Sequence, residues 1–169
     1  MDRFTKRSPV PASAAALFDW HARPAAFARL APPWERVKVA SVVGAFGDGQ
    51  RVTLRASLVG PVSKDWVAEL FEVEPGRQFR DRQLRGPFAE WTHTHRFVPD
   101  GPDTSVLDDT ADYRLPFGGV GRLLGGGLVR GKLAAMFAYR HAVTASDLRR
   151  HAAFAGRPRL TVGVTGSSG

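Results

Sequence analysis

Apolar and polar positions alternate along most of this chain in short stretches, and each stretch ends at a turn signal. Phe4 to Val10 reads as a first strand, closed by Pro9 and Pro11. Ser13 is placed to cap a short helix, Ala14 to Trp20, and Pro24 opens a second over Ala25 to Leu30. Pro32-Pro33 forbids continuation of the second helix. Strands are then predicted at about Arg36–Val43, Gln50–Val59, Lys64–Val73, Gln78–Arg85, Glu90–Val98 and Ser105–Leu115. Gly47-Asp-Gly49, Gly60-Pro61, Glu74-Pro-Gly76, Gly86-Pro87 and Pro99-Asp-Gly-Pro102 separate them. The period then changes from two to between three and four. Leu133, Met136, Phe137, Arg140, Val143 and Thr144 give one mainly apolar face to a helix over about 128–151.

Connections this short imply an antiparallel meander. One face of such a sheet needs a cover, and only the last helix is long enough to provide it. The expected fold is therefore α+β, a helix-grip: a curved antiparallel sheet of six or seven strands around a long C-terminal helix, with two short helices after the first strand. A sheet curved around a helix encloses a space suited to an apolar ligand.

Composition narrows the classes. At 169 residues and 43% hydrophobic, the chain is a globular protein of ordinary domain size. It has no cysteine, so disulfides and thiolate metal sites are excluded. No run reaches the length of a membrane span, and Met1 leads into Asp2-Arg-Phe-Thr-Lys6 without an apolar leader, which points to a cytoplasmic protein. The net charge of +8 raises the question of nucleic acid. Much of it lies in Arg122, Arg130, Lys132, Arg140, Arg149, Arg150, Arg157 and Arg159. No interleaving of aromatic and basic residues accompanies them, and they read as a solvated helix face, or as a surface docking a further domain.

Residues Thr161 to Gly169 are a short apolar run followed by Thr165-Gly-Ser-Ser-Gly169, the start of a dinucleotide-binding turn. Such a turn works by aiming the amides of a following helix at a pyrophosphate. The reading is a ligand-binding domain over 1–155, then a linker and the truncated first strand and turn of a Rossmann-type domain over 156–169. Gly166 and Gly169 would belong to an incomplete NAD(P) motif, serving a domain beyond this one. A plain Gly/Ser tail is the alternative.

The element order and several motifs resemble the START-like (SRPBCC) ligand-binding superfamily. The motifs are Phe27-Ala-Arg-Leu-Ala-Pro-Pro-Trp34, Phe79-Arg-Asp81, Gly86-Pro-Phe88 with Trp91-Thr-His-Thr-His95, and Leu107-Asp-Asp-Thr-Ala-Asp-Tyr113 with Leu115-Pro116. With the Leu160–Gly169 stub, they resemble more narrowly the N-terminal domain of bacterial two-domain proteins. In these the module precedes an NAD(P)-binding, sugar-nucleotide-epimerase-like domain. The resemblance implies a small hydrophobic or amphipathic ligand, no cofactor for this domain, and no catalytic constellation to carry over.

Strand parity nominates the site, because side chains alternate between faces. Trp91, His93, His95 and Phe97 share a face, as do Leu107, Asp109, Ala111, Tyr113 and Leu115, and Phe79, Asp81 and Gln83. The opposite sets, Thr92/Thr94/Arg96 and Asp108/Thr110/Asp112/Arg114, look solvated. Asp81, His93, His95 and Asp109 are thus expected to face the helix. Trp34, Trp66, Phe79, Trp91, Phe97, Tyr113, Met136 and Phe137 would complete a ligand site, with Trp34 closing its mouth. Three roles stay open for the polar residues: a buried His–Asp network, a polar floor for a ligand, or a two-His–one-carboxylate metal site. Metal is not expected.

Acid–base catalysis of the cyclase or hydratase type through the same residues, and partner docking by the basic helix, are the alternative functions. Carboxylate-pair hydrolysis by Asp81 and Asp109 depends on their separation in space. No serine sits in a nucleophile elbow. Gly126-Gly-Leu-Val-Arg-Gly-Lys132 matches part of a phosphate loop, but Leu133 stands where a hydroxyl should hold magnesium. The glycines of 118–127 read as a flexible entry to the helix, or a gate.

Overall fold

The structure is a computed structural model describing residues 1–35, 37–56, 64–158, 161–163 and 166. Seven strands form one sheet in the order β1-β7-β6-β5-β4-β3-β2, every neighbouring pair antiparallel. They are β1 (Asp2–Val10), β2 (Val37–Val43), β3 (Arg51–Ala56), β4 (Lys64–Glu74), β5 (Gln78–Arg85), β6 (Glu90–Pro99) and β7 (Ser105–Arg114). The helices are α1 (Ala14–His21), α2 (Ala26–Leu30) and α3 (Gly118–Phe154). This is the expected helix-grip α+β fold.

Local chemistry sets the short elements. Ser13 Oγ accepts from the Ala16 amide at 3.2 Å and starts α1. The α2 helix stops before Pro32-Pro33, as the missing proline amides require. The sheet's outer surface is laced with ion pairs such as Arg3–Asp112 and Arg7–Asp108. Thr94 is the exception to the solvated outer face: it is buried, between Arg80 and Thr110 in the neighbouring strands.

The largest departure from the sequence reading is the start of α3, at Gly118 rather than near 128. Phe117, with φ 64, turns the chain into it, and Gly118, with φ 56, follows in the same left-handed region. The glycine-rich segment is thus helical and not a loop. Each interior glycine costs such a helix roughly 1 kcal/mol against alanine. Gly125→Ala and Gly131→Ala, whose added Cβ atoms meet nothing within 4 Å, should each raise the unfolding free energy by about 0.5–1 kcal/mol. Gly121→Ala should lower it, because its Cβ would collide with the Pro116 carbonyl oxygen. Urea unfolding of the three variants checks this, and equal responses would contradict a helix beginning at Gly118.

The core has two apolar halves. One gathers α1 and α2 with Phe79, Phe97, Leu107 and Leu148. The other joins Phe4, Trp91, Ala111, Tyr113 and Leu115 to Leu133 and Phe137 of α3. The buried stripe of α3 is Leu133, Phe137, His141, Thr144 and Leu148, spaced four, four, three and four. The proposed strand limit at Val59, the Gly60-Pro61 turn, Arg36, Arg159, Leu160, Val164, Thr165 and Gly169 lie outside the described residues. Thr161–Gly163 and Gly166 are outside any helix or strand, and all four are exposed.

Candidate functional site

Between the two apolar halves runs a belt of charge. On β6, His93 and His95 sit between Trp91 of one half and Phe97 of the other. On β7, Asp109 sits between Leu107 and Ala111, and on β5 Asp81 follows Phe79. The strand register places Asp81 opposite His93 and His95 opposite Asp109. From α3, His141 reaches down between Phe137 and Leu148.

The belt closes into a ring. His93 Nδ1 lies 3.2 Å from Asp81 Oδ2, and its Nε2 lies 3.5 Å from Asp109 Oδ1. His95 spans the same two carboxylates, with Nε2 at 3.7 Å from Asp81 Oδ2 and Nδ1 at 2.8 Å from Asp109 Oδ1. Two outer groups hold the carboxylates: Trp91 Nε1 donates to Asp81 Oδ1 at 3.2 Å, and His141 Nε2 donates to Asp109 Oδ2 at 2.9 Å. The imidazoles lie 3.9 Å apart, and Phe79 stacks on His95 at 4.2 Å. His93, Asp109 and His141 are only 2%, 3% and 3% exposed.

Electrostatics follow from this geometry. Burial works against a charge on His93, but Asp109 and Asp81 outweigh it and raise its pKa to about 9. Burial likewise pushes both aspartates upward, and the facing imidazoles overcome it, holding both below the usual carboxylate range. His21, at the end of α1, shows the opposite outcome. Burial, with His95 nearby, lowers its pKa to about 3, and its Nδ1 donates to the Leu17 carbonyl at 2.9 Å. Arg140 is half-buried and not part of a solvated basic face: its Nε donates to the Leu30 carbonyl at 3.2 Å, and its guanidinium lies over Phe27 and Phe137.

The structure therefore brings together Phe79, Asp81, Trp91, His93, His95, Phe97, Asp109 and Phe137. Tyr113 lies beyond Trp91, 6.3 Å between ring centroids, and Trp66 is half-buried with its ring 5.3 Å from that of Trp91. Met136 packs against the same half from the side of α3. Trp34 is separate. It is 57% exposed, stands against Tyr139, and lines an open groove of about 420 Å³ with Leu128, Lys132 and Ala135. No member of the belt lines that groove, so Trp34 does not close the site. Asp81 and Asp109 do not face each other across open space; His93 and His95 stand between them.

His21 and His141 are the residues that sequence reasoning missed. Extending the α3 stripe by four from Phe137 reaches His141, and from Thr144 reaches Leu148, so that signal was present. His21 carries no comparable signal, because it follows the last predicted turn of a short helix.

The pattern of the polyketide cyclase / dehydrase and lipid transport family matches residues 1–151. This chain belongs to that family. No curated protein matches the chain by sequence. Among solved structures, this family member is similar to norcoclaurine synthase from Thalictrum flavum in complex with dopamine and hydroxybenzaldehyde. The TM-score is 0.69 at 16% identity, over 89% of this chain and 87% of that one. A START superfamily protein from Mycobacterium smegmatis gives 0.63 at 14% identity, over 88% and 97%. The nucleoside-diphosphate sugar epimerase from Corynebacterium glutamicum gives 0.68 at 27% identity, over 90% of this chain but 30% of that one. The START-like resemblance thus holds, and the epimerase is consistent with a two-domain architecture.

Proposed function

We propose that this domain binds a small amphipathic ligand between the sheet and α3. The observation that carries this reading is a charged ring set among aromatic walls at the sheet–helix interface, where a ligand can place a polar group on the belt and apolar parts on either half. Among the described residues, the buried Trp66 Nε1, His141 Nδ1 and Thr144 Oγ1 have no hydrogen-bond partner, and buried polar atoms are normally paired. The fold family supports the same reading. Acid–base chemistry on the bound molecule is the second reading, favoured by a His–Asp ring whose two histidines each face two carboxylates.

The epimerase likeness supports a further element: the domain works beside an NAD(P)-binding partner domain, and any cofactor belongs to that partner.

Titration with the amphipathic dye 1-anilinonaphthalene-8-sulfonate tests the binding. The folded protein should bind one dye saturably, with a change in emission from Trp66 and Trp91. Phe137→Ala, which alters the wall and leaves the belt charges in place, should change the affinity by about tenfold. Unsaturable binding, or an unchanged affinity in a folded Phe137→Ala protein, overturns the reading.

A further inference from the structure

We propose that Asp81, His93 and His95 form a site for one divalent transition-metal ion, with Asp109 as the outer carboxylate that orients both histidines. One ligand atom from each of the three residues lies within 4.8 Å of the others. Around a tetrahedral ion bound at 2.0–2.1 Å, neighbouring ligand atoms stand roughly 3.3 Å apart. Asp81 Oδ2 lies 3.2 Å from His93 Nδ1 and 3.7 Å from His95 Nε2, so a small adjustment places all three around one centre.

The surroundings fit as well as the three ligands do. A metal-bound histidine commonly directs its other ring nitrogen to a carboxylate, which fixes the tautomer and raises ligand basicity. Here both outer nitrogens, His93 Nε2 and His95 Nδ1, face one oxygen, Asp109 Oδ1. That oxygen is shared between the two rings and fully aligned with neither, so neither nitrogen has a complete hydrogen bond. His141 holds the other oxygen of Asp109, while Trp91 holds Asp81 Oδ1 and leaves Oδ2 for the ion. An ion that displaces the proton of His93 leaves two carboxylates with two neutral imidazoles, a charge of minus two that one divalent cation balances. Two imidazoles and one carboxylate suit zinc, cobalt or iron(II) better than magnesium or calcium, which prefer oxygen alone. Three protein ligands leave coordination positions for a ligand's oxygen, so the ion would supply the belt's contact with an amphipathic molecule.

This inference goes beyond ligand binding and is tested without any organic ligand. The full chain, untagged and treated with EDTA, is titrated with Co(II) and followed by visible absorption. The expected result is one ion per chain with imidazole-type bands, displaced by Zn(II). His95→Gln and Asp81→Asn should abolish the bands. Asp109→Asn should keep the stoichiometry and weaken affinity by about 10–100-fold. Trp34→Ala, distant from the belt, should bind as the parent does. If a belt variant fails to fold, paramagnetic broadening in the parent protein decides: His93 and His95 signals should vanish first. No stoichiometric Co(II) binding by the folded parent, or broadening centred elsewhere, overturns the proposal, whatever the dye experiment shows.

Discussion

Asp109→Asn should cost the domain about 3–5 kcal/mol of unfolding free energy, the penalty of leaving buried charge without its partner. Three imidazoles face this one carboxylate, which is 3% exposed. The amide keeps the shape and removes the charge, so His93 loses one of the two groups that offset its burial. Domains of this size hold only about 5–15 kcal/mol in all. The matched control is Asp112→Asn, three residues along the same strand but on the outer face, where Asp112 pairs with the exposed Arg3. That surface pair should be worth less than about 1 kcal/mol. Urea melts of both variants at neutral pH give the comparison. Equal losses would mean that the belt contributes no more to stability than the surface ladder.

Stability of the metal-free protein should peak near pH 6.5 and fall on both sides. Below that value the unfolded chain protonates His21 while the folded protein, with a pKa near 3, does not. The unfolded state then binds more protons, so stability drops as pH falls, by up to about 5 kcal/mol between 6.5 and 3. Asp81 and Asp109, both held low, add a further loss as pH falls through the carboxylate range. Above 6.5 the sign reverses. Folded His93 keeps its proton to about 9 while the unfolded chain has released it, so about 3 kcal/mol disappears across that interval. Either limb should approach 1.4 kcal/mol per pH unit where one proton differs between the states. His21→Phe should flatten the acid limb and leave the alkaline one, and Asp109→Asn should shrink the alkaline limb. Denaturant melts across pH check all three, and a flat profile between pH 5 and 8 would contradict the burial of both histidines.

Much of this was legible in the sequence, for identifiable reasons. Turn residues separate the strands from β2 onward, and period-two alternation put Asp81, His93, His95 and Asp109 on the inner face without knowledge of strand order. Which of them touch was not legible, because contact depends on the β5–β6 and β6–β7 register, which long-range packing sets. The start of α3 was missed because glycine's intrinsic preference argues against helix, and there the whole-domain packing prevails over local propensity. Trp34 was misplaced because a proline-flanked tryptophan looks the same whether it faces inward or lies along the outside of a helix. His141 was within reach of the stripe, four residues from Phe137, but its partner Asp109 lies on another element, and that contact depends on how α3 packs on the sheet.

The belt has one more consequence, which concerns misassembly. Sliding one strand of an antiparallel pair by two residues keeps every inward side chain inward, so hydrophobicity penalises that error weakly. Here a slip that sets Asp81 opposite Trp91 in place of His93, or Asp109 opposite Phe97 in place of His95, would carry that carboxylate away from the histidine it faces. The cost would be that of isolated buried charge, several kcal/mol for each ion. The charged ring thus acts as a one-sided proofreading mark, penalising slips of β5 or β7 along β6 in that direction, which an all-apolar interior would accept.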